Sequence, residues 1–172
     1  MFWINLVKGF IQILHSNITP GEIAFGVSIG LIVGLTPFSL ILKLLFYIFL
    51  LIFNINRAAT FLSIIIFSII GHFIDPLSDK LGYLLLVKLE FLTPFWTTLY
   101  NTPLIPYTRF NNTLVLGSFV VSIIFFIPVY ISTKKLVILY RTNIAKKVEN
   151  TKIMKLFKLS AIYSIYDRYR PK

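Results

Sequence analysis

A chain of 172 residues that is 57% hydrophobic, with a mean hydropathy of +0.84, carries only 13% charged side chains. Soluble domains carry about a quarter charged residues, so these are too few to coat a water-facing globule, and the 16% aromatic content excludes the polar composition of a disordered chain. The formal charge of +11 and the absence of cysteine point to a basic, all-α, polytopic helical membrane protein without disulfides or thiolate metal sites.

Residues 1–18 read as an amphipathic interfacial helix. Trp3, Leu6, Val7, Phe10, Ile11 and Leu14 fall on one helical face, opposite Asn5, Lys8, Gln12 and His15. No small-residue cleavage site follows, so a removed signal peptide is not expected. Thr19-Pro20-Gly21-Glu22 then places a capping hydroxyl, a first-turn proline and a carboxylate in the order that starts a helix.

The apolar run from Pro20 to Phe53 is too long for one span of about 20 residues, and Pro37 is its natural break. Two segments follow, about 20–36 and 37–53. Each is near 25 Å long, against a hydrocarbon core of about 30 Å. A tight, proline-broken hairpin is expected, either crossing or re-entrant. After Asn54-Ile55-Asn56-Arg57 a third segment covers 58–74, and Asp75 is expected to cap a new helix beginning at Pro76. Residues 75–113 are expected as surface helices outside the cytoplasm. Within them 81–99 is apolar enough to compete as another span, although Lys88 and Glu90 would each cost about 2.5–3.5 kcal/mol at mid-membrane. Asn111-Asn112-Thr113 caps the fourth segment, 114–131, which Pro128 should bend. Residues 132–172 form a basic tail. The chain thus divides into the interfacial helix, a membrane domain over 19–131 with about four segments, and that tail.

Basic residues accumulate on cytoplasmic flanks, and eleven of the 17 lie after Ile131, opposed only by Glu149 and Asp167. Both ends are therefore expected in the cytoplasm, with 75–113 outside. Lys134, Lys135, Lys146, Lys147, Lys152, Lys155 and Lys158 are expected to meet anionic lipid headgroups at the bilayer surface. No nucleic acid is expected as a partner.

Gly26, Gly30 and Gly34 recur every fourth residue and leave a groove that another helix can approach closely. Packing inside the chain, against small residues such as Ala59 and Ser63, competes here with a homo-oligomer seam. Lys43 is the one basic residue inside an expected span, so it needs a partner, and its stem can reach outward toward Asp75 or Asp79. A structural charge pair, an ion or proton path, and simple exposure to a water-filled dent are all open. His72, Asp75 and Asp79 have spacings of three and four, but Pro76 interrupts them, and no metal site, cofactor or catalytic residue is assigned. No nucleotide loop, zinc-protease or serine-hydrolase signature occurs, so an enzyme has no positive warrant.

Thr19-Pro20-Gly21-Glu22-Ile23-Ala24, the glycines at 26, 30 and 34, and Thr36-Pro37 resemble the bacterial membrane family that bears domain of unknown function 2062. Asn101-Thr102-Pro103-Leu104 and the stretch Phe110 to Ser118 look like its short, stand-alone branch. The resemblance implies a location in the bacterial inner membrane and no settled activity, although related domains can be joined to glycosyltransferases. Residues and resemblance together suggest a nonenzymatic membrane protein that organises or assists partners. The alternatives are a small oligomeric transporter or channel, and a lipid-linked enzyme or glycosyltransferase accessory.

Overall fold

The computed structural model describes residues 18–52 and 55–144. The expected helix over 1–18 and the tail lysines Lys146, Lys147, Lys152, Lys155 and Lys158 lie outside the described residues. Five α-helices follow one another: α1 (Pro20–Leu35), α2 (Leu40–Ile52), α3 (Arg57–Tyr83), α4 (Thr93–Tyr100) and α5 (Thr113–Leu139). No strand occurs among the described residues. The described residues form an all-helical fold.

Local chemistry sets the ends of these helices. The Thr19 side chain accepts from the Glu22 amide at 3.2 Å, with Pro20 in the first turn, as the sequence led us to expect. The Asn56 side chain accepts from Ala59 N at 2.9 Å and begins α3, and the Asn112 side chain accepts from Val115 N at 3.1 Å and begins α5. α1 stops at Leu35 because Pro37 has no N–H to continue the ladder.

Helix α3 corrects one expectation. Asp75 does not cap a new helix, for α3 passes through Pro76 without a break and runs on into a π turn, Leu84–Lys88. The third segment therefore does not end near residue 74. A proline inside a helix removes one backbone bond, here that to the His72 carbonyl, but the regular bonds on either side and the packing of Ser78 and Gly82 hold the backbone in register. Similarly α5 contains Pro128 and continues past Ile131 into a π turn, Tyr140–Ile144, so the first residues after 131 are helical. The stretch 81–99 is not one helix. It is divided at Leu89, after which come a 3-10 turn, Glu90–Leu92, and then α4.

Among the described residues two helices are long and apolar enough to cross a membrane, Arg57–Lys88 and Thr113–Asn143. Helix α1, at 16 residues, and α2, at 13 residues, are shorter. Large apolar side chains such as Phe73, Leu77, Ile124, Phe125 and Ile127 point outward from the two long helices, which suits a lipid surround better than water.

Helices α1, α3 and α5 pack against one another to form the core. Their direction can be read from the pairs that meet. Gly26 lies by Asn56 and Thr60, Gly30 by Thr60 and Ser63, Gly34 by Ile64 and Phe67, and Gly71 by Leu35. Numbers rise together, so α1 and α3 are parallel. By contrast Ser28 meets Phe126, and Phe38 meets Phe119, so α5 runs antiparallel to α1. Helix α2 returns from the end of α1 to the beginning of α3. It leans on the core through Leu50, which is buried with Ile29 and Ile55, and through Tyr47, whose ring stacks on Phe61 at 5.7 Å. The Ile105–Thr108 turn touches α2.

Candidate functional site

Helices approach closely where side chains are small, and this chain has two such seams. A Cβ built on Gly26 would lie 2.8 Å from the Asn56 carbonyl oxygen, and one on Gly30 would lie 2.7 Å from that of Thr60 and 2.2 Å from Ser63 Oγ. On Gly34 it would lie 2.8 Å from Phe67 Cβ. All three expected glycines therefore face α3 of the same chain. Ser63 turns its hydroxyl inward to the Ala59 and Thr60 carbonyls, so the polar group is satisfied within the seam.

The second seam was not singled out from the sequence. It joins α3 to α5, where a Cβ on Gly82 would lie 1.8 Å from the Thr113 carbonyl oxygen and one on Gly117 1.8 Å from that of Ser78. Ser78 and Gly82 are four residues apart on one face, a small-residue spacing that the sequence carries. The Thr113 hydroxyl donates to the Asp79 carboxylate just beside this crossing.

Below the crossing a cleft of about 120 Å³ opens between the helices, lined by apolar side chains that include Leu31, Leu35, Ile70, Ile74 and Phe125. No polar side chain lines it, so it offers nothing to orient a reacting group.

Among the described residues the buried side-chain atoms without partners are the hydroxyls of Thr36 and Ser39 at the hairpin tip, Asn56 Nδ2 and the Ser118 hydroxyl. Thr36 is 1% exposed and its hydroxyl has no hydrogen-bond partner, and the buried Ser39 hydroxyl also lacks one. Lys43 follows one turn later on α2 and is exposed, beside the exposed apolar Leu44 and Leu45. It forms no ion pair with Asp75 or Asp79, which are separated from it by the change of helix. The uninterrupted α3 does place His72, Asp75 and Asp79 along one side. They do not converge on a metal, since no group of three potential His or carboxylate ligands exists among the described residues. His72 Nδ1 lies 3.2 Å from the Ser68 carbonyl oxygen, and Asp79 is engaged by Thr113. Lys134 and Lys135 are exposed near the end of α5.

Comparison with known proteins agrees with the residues. The model of a family described as "Uncharacterized protein conserved in bacteria (DUF2062)" matches residues 6–146. An "Uncharacterized protein" of Treponema pallidum (strain Nichols) is 29% identical over 150 residues, spanning 87% of this chain and 92% of that protein. No solved structure matches. The chain belongs to the DUF2062 family, a bacterial family of unknown function.

Proposed function

We propose that the protein is a nonenzymatic inner-membrane protein of bacteria that organises partner chains through the outward face of α2. Lys43 carries this reading. It stands exposed among apolar side chains, on a helix that this reading sets at membrane depth. A lysine facing lipid at that depth costs about 2.5–3.5 kcal/mol on insertion scales, a cost removed when another chain supplies polar groups.

In this arrangement α3 and α5 span the bilayer, and α1 and α2 dip in and return on the cytoplasmic side. The parallel packing of α1 and α3 supports it. Leu35 is level with Gly71, about 21 Å along α3 from Arg57 and about 12 Å short of Asp79. If Arg57 and Asp79 mark the two membrane surfaces, the hairpin tip stays inside hydrocarbon. The ends are cytoplasmic in this arrangement, with the lysines of the tail on anionic headgroups.

Sidedness alone does not separate this arrangement from four complete crossings, because both put Arg57 and Asn111 on opposite sides. The depth of the tip does. A single cysteine at Pro37, which is exposed at the hairpin tip, should resist a membrane-impermeant maleimide applied from outside, whereas one at the exposed Asn111 should react. Equal labelling would favour four crossings.

The contact itself is tested with a photo-crosslinking residue at position 43 and, as a control, at Ile124 on α5. Position 43 should give a protein adduct of defined mass in native membranes and Ile124 should not, and Lys43→Leu should weaken the assembly seen by native mass spectrometry. Equal behaviour at both positions would remove the reading. A conduit formed by several copies is the second reading, favoured by the unpartnered hydroxyls of Thr36 and Ser39 on a broken helix. In that case Lys43→Leu abolishes flux in liposomes, and unchanged flux argues against it.

A further inference from the structure

The last carbonyls of α1 are left without the backbone N–H groups that would cap them. Pro37 cannot donate to the Val33 carbonyl, and the Phe38 amide turns back to its near neighbour, the Thr36 carbonyl, at 2.7 Å instead of reaching Gly34. No basic residue occupies the last turn of α1. The terminal carbonyls of a helix carry the equivalent of about half a negative charge.

One more negative group follows one helical turn beyond the point where α3 meets this end. Gly71 packs against Leu35 and the Gly34 carbonyl oxygen, at 3.6 and 3.7 Å from its built Cβ. Asp75 lies one turn farther along the same face of α3, about 6 Å up the helix axis. It is half-buried and has no hydrogen bond or ion pair among the described residues, unlike Asp79, which Thr113 engages. Thr36, 1% exposed, adds a hydroxyl oxygen with no partner. A carboxylate set over a helix C-terminus is repelled, and nothing described supplies the compensating charge.

We propose that the C-terminal end of α1, Thr36 and Asp75 together bind a cation. Carboxylate, hydroxyl and carbonyl oxygens suit a hard ion, and a single carboxylate balances a monovalent one such as Na⁺ or K⁺. The site is separate from the α2 face and does not rest on the assembly reading.

The test uses the full chain in detergent, with thermal unfolding followed in NaCl, KCl and choline chloride at equal ionic strength, and ²³Na line width as a direct probe. Na⁺ or K⁺ should raise the melting temperature saturably over choline. Asp75→Asn and Thr36→Val should each abolish the saturable part, while Asp79→Asn keeps it even if the protein melts lower. Should Asp75→Asn fail to fold, Thr36→Val and ²³Na broadening in the unaltered chain carry the test. A wild-type protein indifferent to all three salts, or an equal response in Asp75→Asn, would overturn the site.

Discussion

Gly117→Ala should destabilise the bundle by about 3 kcal/mol or more, enough to consume a large part of the roughly 5–15 kcal/mol that holds a typical domain together. The added methyl would stand 1.8 Å from the Ser78 carbonyl oxygen, 2.7 Å from its carbonyl carbon and 2.9 Å from the Gly82 amide. These are backbone atoms of α3, so no side chain can swing aside, and the two long helices must part. Separation also exposes Ser78 and Ser118, both 1% exposed, to hydrocarbon. Gly21→Ala is the control. Its methyl would meet only the Tyr130 hydroxyl, at 3.5 Å, and glycine is a poorer helix former than alanine by about 1 kcal/mol. Thermal unfolding in detergent should separate the two variants clearly. Equal melting temperatures would mean that α3 and α5 do not cross where described.

Gly30→Ala should cost about 2–3 kcal/mol, and for a different reason, because the nearest obstacle is a side chain. Ser63 Oγ would lie 2.2 Å from the new methyl and Ser63 Cβ 2.9 Å, whereas the Thr60 carbonyl oxygen, at 2.7 Å, cannot retreat without moving the helix. Adding Ser63→Gly should therefore restore part of the loss and leave the part due to Thr60. A double-mutant cycle should return a coupling of about 1 kcal/mol. No coupling would place Gly30 against something other than Ser63.

Much of the local structure was legible because it depends on neighbours in sequence. Thr19 with Pro20, and Asn112 before Thr113, announce helix starts whose bonds are made within one turn. The glycines at 26, 30 and 34 were legible as a close-packing surface, with Ala59 and Ser63 as neighbours, since both patterns repeat at helical spacing. What failed at Pro76 was a local rule used without its tertiary setting. Proline weakens one bond of α3, while the crossing of Ser78 and Gly82 with α5 is created by residues more than thirty positions away. Missing that continuity also shortened the third segment. At the hairpin tip, sequence singled out Lys43 by its charge but could not show that Thr36 is sealed without a partner, because burial is set by the surrounding helices.

The shared direction of α1 and α3 has a consequence for biosynthesis. In the arrangement proposed above, the first two helices deliver no residue to the far side, so they can settle into the bilayer from the face where the ribosome works. There the earliest translocation falls on residues after Asp79, and it moves one short, nearly neutral stretch before α5 brings the chain home. On that arrangement membrane insertion reduces to a single transfer event, and a stall there would leave α1 without the surface its glycines are shaped to meet.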